Sequence, residues 1–357
     1  MYIFRNGIII YIHNYFHFYP AEIKILELFK LRFNCLLAEF CLICIKNSLS
    51  LHCEIYCKTR MTMTNPEKPS IPTWARILLI LVAYFIVAGI FQLIGAIVAG
   101  ISIKDLSEAQ NMSLTQQLVL TIFSLAGTLG IIYIFRKFID RRTFLSMGFS
   151  LKNRGTDILH GLLLAFLVMS IGTILLSMSG LIKITLFTGF DSQTLLYSTL
   201  LFIAVAFTEE TLCRGYLLNN LMQSVNKYAA LGISSAIFTS FHLLNPNVSV
   251  LGITNIFLAG ILLGASYIFT KNLWFPISLH FFWNFIQGPV LGYQVSGQSI
   301  KSFSTIVLNS KTMVNGGDFG FEGSIVCTVL IILGIGAILL FYRNRETRAI
   351  PVPNDIA

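Results

Sequence analysis

Leu201-Phe202-Ile203-Ala204-Val205-Ala206-Phe207-Thr208-Glu209-Glu210-Thr211-Leu212-Cys213-Arg214-Gly215-Tyr216-Leu217-Leu218-Asn219-Asn220-Leu221-Met222 is an apolar run long enough to cross a bilayer, yet it carries two adjacent carboxylates and a guanidinium. An ionisable group at that depth costs about 3 kcal/mol or more unless it is paired or faces a wet cavity, so its default reading is functional. On a helix, Glu210 and Arg214 stand at i and i+4 on one face and can neutralise each other. Glu209 sits about 100° round the axis from Glu210 and is the carboxylate left free for chemistry.

The chain around this stretch has 357 residues, 55% of them hydrophobic and 11% charged. With a mean hydropathy of +0.76, it is far from a soluble globular composition and fits a polytopic membrane protein. The net charge of +9 does not point to nucleic acid. The basic residues are dispersed between apolar runs without forming a patch, so the expected partner is the lipid bilayer, with no nucleic acid. Of the seven cysteines, only Cys213 and Cys327 lie in the body of the chain, too few for a disulfide framework.

The other five cysteines, Cys35, Cys41, Cys44, Cys53 and Cys57, fall in residues 1–60, a segment whose apolar runs are broken by Lys24, Lys30, Arg32 and Lys46. No clean span of about 20 apolar residues can be drawn there. A zinc reading of the Cys41, Cys44, Cys53, Cys57 set is weakened by the Cys-x3-Cys spacing of its second pair, and a signal peptide by the lack of three-part order. The preferred reading is an atypical extension outside the functional unit, with Met61 or Met63 as a natural beginning.

Beyond it lie eight apolar segments, at about 75–101, 115–137, 157–181, 193–222, 228–245, 247–270, 272–292 and 323–342. In hydrocarbon each must satisfy its backbone polar groups internally, so the expected fold class is all-α, a polytopic membrane bundle of about eight transmembrane helices. Basic residues outside the segments divide unevenly. Lys68, Arg76, Arg136, Lys137, Arg141, Arg142, Lys152, Arg154, Lys227, Lys271, Arg343, Arg345 and Arg348 fall to one side, and Lys104, Lys183, Lys301 and Lys311 to the other. The positive-inside rule then puts both termini in the cytoplasm. It makes 138–156 a basic cytoplasmic loop, read as solvated in preference to lying along the membrane surface. Gly260 and Gly264 form a Gly-x3-Gly pair suited to close helix packing. The long loop 293–322 suggests nothing specific.

Two further segments carry ionisable groups at depth. The fifth holds Phe238 and His242, one helical turn apart, and the seventh holds His280 and Asn284 at i and i+4. His160, near the start of the third, reads as a histidine bonded to a neighbouring carbonyl. Convergence of Glu209, His242 and His280 on one cavity is the economical explanation for their presence. A carboxylate and an imidazole sharing a water can take its proton, while a second imidazole and an amide, His280 and Asn284, can donate to a developing oxyanion. Two histidines and a glutamate also form a familiar zinc site with an open position, so a divalent metal such as zinc is the cofactor to test. The sequence leaves these two routes open. No serine or cysteine stands beside a base in a recognisable pattern, which argues against a covalent route.

Glu209-Glu210-x3-Arg214-Gly215, Phe238-x3-His242 and His280-x3-Asn284, in this order, resemble the three motifs of the CPBP family of intramembrane proteases, which includes the type II CAAX prenyl endopeptidases and the bacteriocin-immunity (Abi) proteins. The run from Gly260-x3-Gly264 through Lys271-Asn272-Leu273-Trp274-x-Pro276 to His280 is similar to the family's approach to its third motif. The resemblance implies that Glu209 and His242 activate the water, that His280 and Asn284 steady the oxyanion, and that Glu210, Arg214 and Phe238 support the site. It implies an endopeptidase, metal-dependent or glutamate-dependent, acting on a membrane-associated protein or peptide. Eukaryotic members remove the last three residues of prenylated proteins, whereas many prokaryotic members process peptide pheromones or protect against bacteriocins.

The expected plan is then an extension over 1–60, a polar cytoplasmic lead-in over 61–74, a transmembrane protease domain over 75–342 with its motif core at 190–290, and a cytoplasmic tail over 343–357. The expected location is the plasma membrane of a prokaryote. Two other readings compete. A non-catalytic immunity or peptide-binding protein would keep its phenotype on Glu209→Gln, and a proton-coupled transporter would need paired broken helices, which the sequence does not show.

Overall fold

The computed structural model describes residues 71–102, 112–185 and 191–348, all within one compact unit, Lys68–Ala357. The expectations for residues 1–60, for starts at Met61 or Met63, for Lys68 and Lys104 and for the tail beyond 348 lie outside the described residues.

The chain is the all-α bundle of an integral membrane protein. Among the described residues its main helices are α1 (Thr73–Val98), α2 (Leu114–Ile139), α3 (Gly155–Met178), α4 (Ser192–Leu221), α5 (Lys227–Ser240), α6 (Val250–Thr270), α7 (Trp274–Phe285) and α8 (Ile325–Arg348). Six of them, all but α5 and α7, are long and apolar enough to cross a membrane. On α1 the side chains of Leu79, Val82, Phe85, Ile86, Ile90 and Leu93 are exposed, an apolar band suited to contact with acyl chains.

Starts are marked by side-chain caps that satisfy otherwise orphaned N–H groups. Ser113 and Gln116 form a capping box on α2, Asp191 caps α4, Asn226 caps α5 and Ser249 caps α6.

The two short helices are the ones that carry the second and third motifs. With 14 residues, α5 is about 21 Å long. It ends at Ser240, where Phe241 and His242 close tighter bonds to Phe238 O and Thr239 O, and the chain turns away through Pro246 and Asn247, the latter left-handed at φ 55°. His242, expected on the fifth span, therefore lies in the turn just after α5. Helix α7 has 12 residues and passes into a π-helical turn, Ile286–Val290, that contains Pro289.

Close approaches fix the neighbours of α7 and α5. A Cβ on Gly161 of α3 would run into the backbone of Phe275 and Leu279, and one on Gly260 of α6 into Ser235 of α5, which bears out the packing expected of the Gly-x3-Gly pair.

At the end of the bundle where α1 begins, Asp140 accepts from Arg76 at 2.6 Å and from Arg136 at 3.1 Å. Asn220 of α4 joins through Arg76 at 2.8 Å. All four side chains are buried. Arg76 and Arg136, counted from the sequence only as topology charges, thus tie α1, α2 and α4 together. The loop 138–156 is docked on protein: Met147 is fully buried, and Phe149 O and Ser150 O accept from Trp274 and Asn272.

The loop 293–322 also has structure. Strand β2 (Thr305–Leu308) pairs antiparallel with β1 (Ile182–Thr185), Ile182 opposite Leu308 and Thr185 opposite Thr305. Val295, Ser296, Gln298 and Ile300, ahead of β2, form one wall of a cavity inside the bundle.

Candidate active site

Helix α4 changes to π-helical geometry at Thr211–Leu218, directly after the two glutamates. The extra residue per turn rotates the remainder of the helix, a distortion common at functional sites. Glu210 is fully buried and its Oε1 accepts from Arg214 at 2.8 Å, the i, i+4 pair expected from the sequence. Arg214 also donates to the carbonyl of Gly260 at 2.9 Å and lies 4.6 Å over the ring of Phe238. Gly260 is therefore more than a packing residue, because its bare backbone brings an acceptor to the buried guanidinium.

The same Glu210 oxygen accepts from His280 Nδ1 at 2.8 Å. This leaves His280 Nε2 facing Glu209, 3.8 Å from Oε2. From the other side His242 brings its Nε2 to 4.0 Å from that oxygen, while its Nδ1 is 2.9 Å from the carbonyl of Phe238. A carbonyl can only accept, so Nδ1 of His242 carries a proton, and in the neutral ring Nε2 presents a lone pair. Phe238 supports His242 twice, through this carbonyl and through its ring, 4.7 Å away.

Glu209, His242, His280 and Asn284 line one cavity of about 540 Å³. Glu209 Oε2 is buried and has no hydrogen-bond partner among the described residues. Separations of 3.8 and 4.0 Å are too long for direct bonds and suit one water shared by the carboxylate and both imidazoles. The cavity reaches past Gln117 and Gln298 to Met112 and Ile300, at the end of the bundle where α2 and α4 begin. Sequence reading did not find Trp283, Ser296 and Glu322, which line the same cavity. The available signal was Glu322 itself, an acid set between Phe321 and Gly323 just before an apolar span.

Ligands held about 2.1 Å from a tetrahedral zinc stand about 3.4 Å apart, closer than Glu209 is to either imidazole. Among the described residues no group of three or more His, Cys, Asp or Glu side chains could hold a metal ion. The residues as placed do not form a zinc site, so the chemistry is derived from protein groups alone. His160 packs edge-on against Phe341, away from this set.

Residues 191–286 match the family model of the Rce1-like type II CAAX prenyl endopeptidases. No curated protein and no solved structure matches the chain. The matched segment runs from the cap of α4 to the end of α7 and contains all three motifs, whose side chains come together at the cavity although they are far apart in sequence. Over that segment the chain is similar to the CAAX-type intramembrane proteases of the CPBP family.

Proposed function

We propose that the protein hydrolyses a peptide bond in a membrane-associated polypeptide, with Glu209 and His242 activating the water and His280 and Asn284 stabilising the oxyanion. The observation that carries this reading is the different second partner of each imidazole. His242 donates its Nδ1–H to a carbonyl and so turns Nε2 toward the cavity as the acceptor. His280 stands between two carboxylates, Glu210 at Nδ1 and Glu209 beyond Nε2, so each ring nitrogen faces an acceptor and its Nε2–H can donate.

Water held between Glu209 and His242 loses a proton to this pair as its oxygen bonds to the substrate carbonyl carbon. The carbonyl oxygen becomes an oxyanion that accepts from His280 Nε2–H and from the amide of Asn284. The C–N bond then breaks, and the proton taken from water passes to the leaving amine. Arg214 balances the buried Glu210, the carboxylate that orients His280.

The test uses purified protein in liposomes with a quenched fluorescent peptide carrying a farnesylated cysteine near its C-terminus, products being identified by mass spectrometry. Glu209→Gln and His242→Ala are expected to lower the cleavage rate at least about 100-fold, with the protein still folded. Wild-type rates in both variants would overturn the reading. We also propose that both termini face the cytoplasm, on the side preference of the basic residues.

A further inference from the structure

Glu322 is a second buried carboxylate in the cavity wall, supplied by the segment just before α8, far from the three motifs in sequence. Its Oε1 accepts from the indole N–H of Trp283 at 3.0 Å. Its Oε2 accepts from both the backbone N–H of Ser296, at 2.7 Å, and the Ser296 hydroxyl, at 2.9 Å. The backbone of Glu322 is itself fixed, because Asn255 of α6 donates to its carbonyl at 2.7 Å.

Each partner leads to a motif. Trp283 precedes Asn284 on α7 and comes one turn after His280. Ser296 begins the tip of a two-residue turn in which Val295 and Gln298 exchange both backbone bonds at 2.9 Å. Ser296 and Gly297 both have positive φ, 48° and 82°, the signature of a type I′ hairpin turn. Glycine adopts that conformation freely and serine does not, so the serine has to be held, and Glu322 holds it by two bonds. Gly297 also donates to Phe319 O at 3.1 Å. It lies so close to the backbone of Pro246, in the turn that carries His242, that a Cβ there would collide with the Pro246 carbonyl.

We propose that Glu322 is a positioning residue of the active site: one carboxylate clamps α7, and with it His280 and Asn284, to the Ser296-Gly297 turn that buttresses the His242 turn. Both of its oxygens are occupied by wall residues, so it takes no part in the bond-breaking step. It sets the distance between the oxyanion donors on α7 and the base on the opposite wall, and a misplacement of about 1 Å in such a set costs about 100-fold in rate.

This inference rests on the proposed protease reaction, and its test has one arm that does not. With the farnesylated fluorescent peptide in liposomes, Glu322→Gln is expected to lower kcat about 10- to 100-fold while KM stays within about twofold. The amide can keep one arm of the clamp only. Trp283→Phe, which removes one donor and keeps an aromatic ring, should lower kcat in the same way, and the double variant should be no worse than the poorer single one. In the second arm, hydrogen–deuterium exchange of Glu322→Gln should rise at residues 293–298 and at 242–248 together.

Unchanged kcat in both variants, or exchange that rises at 293–298 alone, would overturn the clamp. If Glu322→Gln does not fold, Trp283→Phe and Ser296→Ala carry both arms. If the wild-type protein cleaves nothing, the protease reading falls, and the exchange arm still decides the clamp.

Discussion

His280 Nδ1 on α7 lies 2.8 Å from Glu210 Oε1 on α4, and that same oxygen lies 2.8 Å from Arg214. One buried carboxylate oxygen therefore orients an imidazole of the cavity and neutralises the guanidinium that anchors α4 to α6.

Glu210→Gln should be more damaging to the fold than Glu209→Gln. It leaves Arg214 buried with its charge unmatched, and breaking a buried pair from one side costs about 3–5 kcal/mol. The expected outcome is a large drop in the melting temperature of the detergent-solubilised protein for Glu210→Gln. Glu209→Gln, whose Oε2 has no hydrogen-bond partner among the described residues to lose, should melt close to wild type and be inactive.

The Asp140 cluster offers a second contrast. Asp140→Asn leaves Arg76 and Arg136 without their shared counter-charge in a buried setting and should cost about 3–5 kcal/mol. Arg154→Ala removes a pair with Asp157 at 2.9 Å that is partly exposed, and should cost less than about 1 kcal/mol. Denaturant unfolding of the two variants side by side checks this.

Glycine positions separate close approach from open space. Gly161→Ala puts a methyl against the backbone of α7 and should destabilise by about 1–3 kcal/mol, with a loss of activity as His280 shifts. Gly130→Ala in α2 meets nothing within 4 Å. It should be neutral or add up to about 1 kcal/mol, because alanine loses less chain entropy in a helix. Thermal melts and cleavage rates of the two variants check both halves of the contrast.

At the rim, Asp191 bonds Lys301 at 2.8 Å and also accepts from Thr194. The lysine first, and then the threonine, hold its carboxyl well below the usual carboxylate range. A carboxyl depressed in the folded state adds stability above its unfolded value, near 4, and that stability fades as the pH falls through the lower folded value. The melting-temperature difference between wild type and Asp191→Asn should therefore be constant from about pH 5 to 8 and shrink only in strong acid.

Much of the site was legible because helical spacing is a local property. Glu210 with Arg214 and His280 with Asn284 could be placed on common faces by counting residues, since i and i+4 always meet on a helix. His242 was placed near Phe238 by the same count and remains within reach of its carbonyl, although the helix ends at Ser240, before it. The loops were less legible. Arg76 and Arg136 carry the same charge whether they mark the cytoplasmic side or lock three helices, and only the position of Asp140 separates the two roles. Glu322 had no periodic context at all.

Composition and the order of apolar runs were enough to establish a membrane-embedded helical bundle, because hydrocarbon permits little else, and the three motifs by themselves pointed to the residues that meet. Only the tertiary structure decided which nitrogen of each histidine is free, that Glu210 stands behind His280 as well as Arg214, and that the loop before α8 closes the cavity wall. Those relationships join residues tens of positions apart, and their geometry exists only once the helices have packed.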